Sequence, residues 1–190
     1  MRVRKQIPMT MTIIATALLC SSTVSLPIDA KQQGSTAAIE SLNFLLGKWV
    51  GEGTAETGQA GSGYCSFERG LQDKVLVRRN HSEYPPADGR PAIVHDDVMI
   101  IYPDHAKQQL RAFYTDNEGN VINYTVRAAP DGRSAVFTSD AEAGTRRYRL
   151  TYTITQPGHV TITFEMALPG KPDQFQKFIG GKLRRSGEAS

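Results

Sequence analysis

Hydrophobic and polar positions change rhythm once along this chain. From Ala37 to Leu46, the residues Ile39, Leu42 and Leu46 recur at helical spacing, and Phe44 and Leu45 widen the apolar stripe. Ser35 or Thr36 is placed to cap the start of that helix and Gly47 to end it. From Trp49 onwards no helical period survives. Short runs rich in Val, Ile, Thr, Tyr and Phe follow one another instead, and they predict strands over Trp49–Thr57, Gly63–Arg69, Val75–Tyr84, His95–Tyr102, Gln109–Thr115, Val121–Ala129, Ala135–Ser139, Arg146–Thr155, His159–Ala167 and Phe175–Arg185. Each break carries the Gly, Pro, Asn or Asp that tight turns need, as in Gly58–Gly61, Asp116–Asn120 and Gln156–Gly158.

Nearly every connection is too short for a crossover helix, so neighbouring strands pair antiparallel, up and down. Consecutive strands in such number either leave two raw edges or close on themselves, and closure is favoured. The expected fold is therefore all-β: a closed or nearly closed barrel of about ten strands after a short N-terminal helix. Alternation sets the faces. Tyr148, Leu150, Tyr152 and Ile154 share one side of their strand, and Val160, Ile162, Phe164 and Met166 share one side of the next. Bringing both sets to one face requires even positions to pair with even, hence an odd-length turn with Gly158 left-handed. A hairpin centred near Glu118 likewise aligns Leu110, Ala112 and Tyr114 with Val126, Tyr124 and Ile122. No internal repeat or linker divides the 190 residues, which points to one domain over 31–190.

Residues 1–30 depart from this pattern. Arg2-Val3-Arg4-Lys5 followed by the apolar Ile13–Cys20 and then small or polar residues to Ala30 has the layout of a secretory signal peptide, too short in its apolar part to span a bilayer as a stable helix. Export to the periplasm or the outside is expected. Lipid anchoring at Cys20 is the lesser alternative, because Leu19 before it is bulky. Removing the leader changes the charge picture: 22 Lys+Arg against 19 Asp+Glu becomes 19 against 18. A near-neutral body speaks against nucleic acid or a membrane surface as partner. It also leaves Cys65 as the one cysteine, a packed thiol rather than a disulfide partner or a nucleophile.

Leu42 to Gly53 contains Gly47-Lys48-Trp49-Val50-Gly51-Glu52-Gly53, a Gly-x-Trp-x-Gly-x-Gly entry into the first strand behind a short helix. This opening resembles the nitrobindin-type barrels, which are similar to fatty-acid-binding proteins and belong with the lipocalins to the calycins. The resemblance implies a Trp49 that plugs one barrel end, with Arg184 or Arg185 of the last strand stacked on it by cation–π attraction. Beyond that opening the chain is nearer to bacterial barrels of this general type than to any member of known ligand. Haem is the cofactor the resemblance raises, held in nitrobindins by a last-strand histidine. Aligned on Leu183-Arg184-Arg185, that position falls on Phe178, which cannot ligate iron, so haem of that kind is not expected.

Two constellations carry candidate chemistry. Tyr114, Tyr124, Tyr148 and Tyr152, with Phe164, sit on the apolar faces of their strands, where they either line a ligand cavity or simply fill the barrel. His81 and Glu83 share a face of one strand, His95 and Asp97 a face of the next. With the hairpin centred near Gly89, His81 pairs with Asp97 and Glu83 with His95, giving a possible metal or acid–base cluster of His81, His95 and Asp97. The plainer reading is a set of cross-strand ion pairs on the outer surface. Arg78 and Arg111 could reach a carboxylate ligand if they point inward, but exposure is the expectation, Arg111 lying opposite the apolar face of its strand. No phosphate-binding glycine loop, zinc-type His/Cys spacing or Gly-x-Ser-x-Gly elbow occurs. The expected function is a binding barrel for a small apolar or amphipathic molecule; the alternatives are an enzyme built on the histidine cluster and a scaffold without ligand.

Overall fold

The computed structural model describes residues 38–52, 62–86, 89 and 91–187. The leader with Cys20, the caps Ser35 and Thr36, the turn at Gly58–Gly61 and the signature residue Gly53 lie outside the described residues. Ten strands form one closed antiparallel barrel: β1 (Gly47–Glu52), β2 (Ser62–Gly70), β3 (Val75–Tyr84), β4 (Ile93–Asp104), β5 (Gln109–Asp116), β6 (Val121–Ala128), β7 (Ser134–Ser139), β8 (Arg147–Gln156), β9 (His159–Ala167) and β10 (Gln176–Arg185). Each strand pairs with its neighbours in sequence, and β1 closes on β10 through Trp49 opposite Arg185 and Gly51 opposite Leu183. Closure leaves no edge strand exposed.

One end of the barrel is packed solid. A helical segment starting at Ala38 ends in the 3-10 turn Asn43–Leu45 and places Ile39, Leu42 and Leu45 against Trp49, Phe67, Leu76, Ile101, Phe137 and Val160. The Trp49 indole donates to the Leu45 carbonyl at 2.7 Å. Over its ring lies Arg185, guanidinium 4.4 Å from the centroid; this is the stacking partner, whereas Arg184 lies 3.6 Å from Glu52. Arg185 also donates to the Leu46 and Phe44 carbonyls, so it ties the plug, the first strand and the last strand together. Gly47 does not end the helix but opens β1. Its φ is +112°, and a Cβ there would stand 2.5 Å from the Arg185 Nη1, so only glycine suits the position.

The pairing of β5 with β6 sets Leu110, Ala112 and Tyr114 against Val126, Tyr124 and Ile122, as the hairpin argument expects. Between β8 and β9 the even positions also meet, Ile154 opposite Val160 and Leu150 opposite Phe164. The parity comes from a bulge between Ile154 and Gln156 rather than from a longer loop, with Gly158 left-handed at φ +71°. At β3 and β4 the register differs by one residue from the expectation. Asp96 lies opposite His81, and Asn80 opposite Asp97. A one-residue slip turns a side chain to the other face, so His81 is outside the barrel while His95 and Asp97 are inside.

Candidate functional site: the open half of the barrel

The strands run past the packed end, and their other halves enclose a cavity of about 810 Å³. Sequence parity decides what lines it. On β8, β9 and β10 the inward positions carry Tyr148, Leu150, Ile162, Phe164 and Leu183, a largely apolar wall. Tyr148 stacks on Phe164 with centroids 5.7 Å apart and planes at 10°, and Phe178 meets Phe164 edge-on at 6.3 Å. Phe178 reaches the rim because it is the extra residue in a bulge between Lys177 and Ile179. Its carbon ring offers no donor atom to iron, so Phe178 cannot hold a haem there.

Across the barrel, β3, β4 and β5 carry the polar wall: Arg78, Asn80, Ser82, His95, Asp97, Tyr114 and Asp116. Arg78 lies one layer above the core, opposite Phe67 and Met99, and is buried. It is paired through Nη1 with Asp97, also buried. The sequence expectation of exposure fails for Arg78 because its position is inward. It fails for Arg111 because that outward-facing residue is covered by Asp140 and Thr125, to which it donates. Burial pushes the Asp97 carboxyl above its ordinary range, only partly offset by Arg78, His95 and Asn80. The Arg78 Nε and the Tyr152 hydroxyl are buried without a hydrogen-bond partner.

His95 connects this floor to the rim. Its Nε2 lies 3.4 Å from Asp97 Oδ2 and 3.2 Å from the Tyr114 hydroxyl, and its Nδ1 lies 3.1 Å from Glu118 Oε1. Tyr114 in turn donates to Asp116 Oδ2 at 3.0 Å. Burial, with Asp97 and Asp116 close by, raises the Tyr114 phenol well above its ordinary pKa, so it stays protonated at neutral pH.

The structure thus brings Tyr114, Tyr124, Tyr148 and Phe164 to the cavity wall and His95 and Asp97 to its polar side. Tyr152 lies below the floor, fully buried edge-on against Phe67 and Phe137, and does not line the cavity. The cluster of His81, His95 and Asp97 does not assemble. His81 sits outside, stacked on Tyr64 at 5.1 Å, its Nδ1 on Asp96 at 2.7 Å and its Nε2 on Glu83 at 2.9 Å. Those two carboxylates raise its pKa above the usual 6.5. Cys65 is packed in the core and its thiol is pushed up to about 11 by burial, which suits a packing role.

Asp116, Glu118 and Asn80 are site residues that the sequence reading does not pick out, and it takes Phe178 only as a position unable to ligate iron. Asp116 had a signal: it continues the even-numbered inner face of Ala112 and Tyr114. Its place in an obvious turn, Asp116–Asn120, hid it.

No family model matches this chain, and no curated protein matches it. Among solved structures, that of EF1p2_mFAP2b bound to DFHBI aligns over 78% of this chain and 99% of its own, with a TM-score of 0.38 and 12% identity. A likeness that distant carries nothing about ligand or activity. Among the described residues no helix is long and apolar enough to cross a membrane.

Proposed function

We propose that this chain is a calycin-like binding protein that holds one small amphipathic molecule in the open half of its barrel. The observation that carries the reading is the two-sided cavity: about 810 Å³ with a stacked aromatic wall facing a hydrogen-bonding one. That volume falls within the roughly 300–1,000 Å³ of small-molecule sites, which are mainly apolar with a few placed polar groups. The apolar part of the ligand would lie on Tyr148, Phe164 and Phe178. Its polar end would face Tyr114 and Asn80 on the hydrogen-bonding wall.

The signal-like residues 1–30 support a site of action outside the cytoplasm. Native mass spectrometry of protein recovered from the exported fraction of its source tests both parts. The expected species begins at Lys31 and carries a small molecule that leaves on denaturation. A chain that carries no small molecule would count against the binding role, and an intact leader on a cytoplasmic protein would count against export.

A further inference from the structure

The turn after β5 does more than reverse the chain. Asp116 Oδ1 accepts the backbone N–H groups of Glu118 and Asn120, at 3.1 and 2.9 Å, and Oδ2 accepts from Asn120 Nδ2 and the Tyr114 hydroxyl. This wraps the turn tightly and lifts Glu118 over the cavity rim beside His95. One ligand atom each from His95, Asp116 and Glu118 then lie within 4.8 Å of one another. An imidazole and two carboxylates are a donor set that suits a zinc-like divalent ion.

Two further features fit that use. Asp97, anchored by Arg78 and out of contact with water, faces His95 Nε2. For Nδ1, 3.1 Å from Glu118 Oε1, to ligate, the ring proton must sit on Nε2, where Asp97 can accept it. Asp116 is held in place by four hydrogen bonds, so an ion bound at Oδ2 would take the place of the bond from Tyr114 or Asn120 Nδ2.

We propose that His95, Asp116 and Glu118 bind a single Zn²⁺ at the rim, with its open coordination position toward the cavity. The outer histidine offers a contrast. Asp96 and Glu83 approach opposite nitrogens of His81, so they cannot converge with that ring on one ion.

Calorimetric titration of the metal-free full chain with ZnCl₂ at neutral pH, without any small molecule, tests the site separately from the binding role above. One ion per chain is expected. Glu118→Gln, at an exposed position that leaves folding intact, and His95→Gln are each expected to weaken it by at least ~10-fold. His81→Gln is expected to leave it unchanged. No saturable binding, wild-type affinity in Glu118→Gln, or loss of binding in His81→Gln would each overturn the proposal.

Discussion

Arg78 and Asp97 sit face to face at the boundary between the packed and the hollow half, each almost sealed from water. Two ions taken out of solvent gain little net stability from their mutual attraction, because desolvation consumes most of it. Losing one partner is another matter, since the survivor is left charged and unpaired in an apolar layer beside Met99 and Phe67. Asp97→Asn or Arg78→Met alone is therefore expected to cost about 3–5 kcal/mol. The double variant Arg78→Met/Asp97→Leu is expected to recover most of that loss, and to strip the cavity of its charged floor. Urea unfolding of the three variants checks this. Equal losses in the single and double variants would show that the pair holds the fold by geometry rather than by neutralising itself.

At the scale of elements, β10 explains why the cavity is hollow. Its inward residues from the rim downward are Ile179, Gly181 and Leu183, paired with Phe164, Ile162 and Val160. Gly181 leaves a gap in that row: a Cβ there would meet nothing within 4 Å. A phenylalanine at 181 would project into the space without a backbone clash. Gly181→Phe is expected to abolish saturable binding of the probe 8-anilinonaphthalene-1-sulfonate while changing the melting temperature little. Retained binding would place the probe elsewhere and remove support for the cavity as the binding site. The strands themselves were legible because alternation in β8 and β9 is clean, and the short turns left few registers open. The β3–β4 register was not, because the connection from Pro85 to Ala92 is long enough to hide its parity. That one-residue difference in register places His81 on the outer surface rather than in the site. The cavity was illegible for a related reason. Alternation says which residues face inward, but whether they meet in the middle depends on volumes such as the absent side chain at Gly181.

The whole molecule is held shut by β1 on β10 and, around its outside, by arginines that clasp carboxylates across neighbouring elements. Arg149 grips Glu165 across β8 and β9 with two bonds of 2.6 Å, and Arg111 on β5 reaches past β6 to Asp140 after β7, with Nη1 at 2.7 Å from Oδ1 and a second bond from Nη2 to Oδ2. The Arg149 hydrogen bonds hold the Glu165 carboxyl below its ordinary 4.5, and those of Arg111 hold Asp140 below 3.8. An acid whose pKa is depressed by folding contributes stability that is complete above its unfolded value and disappears as pH falls through the folded one. Both pairs are partly solvated, so each is worth under about 1 kcal/mol. His81 acts in the opposite sense. Its raised pKa contributes stability below 6.5 that is lost as pH climbs through the folded value. The melting temperature is thus expected to be highest in mildly acidic solution, to decline gently on the alkaline side, and to fall on the acid side from about pH 4.5 downward. Scanning calorimetry across pH checks the shape. In Asp140→Asn/Glu165→Gln the acid limb is expected to become shallower and in His81→Gln the decline through neutral pH to vanish. Cys65, Tyr114, Tyr124 and Tyr152, whose pKa values burial raises, still lower stability in strongly alkaline solution. An acid limb unchanged by the double substitution would mean that titration elsewhere governs unfolding, Asp97 being no candidate, since its raised pKa makes protonation there favour the fold.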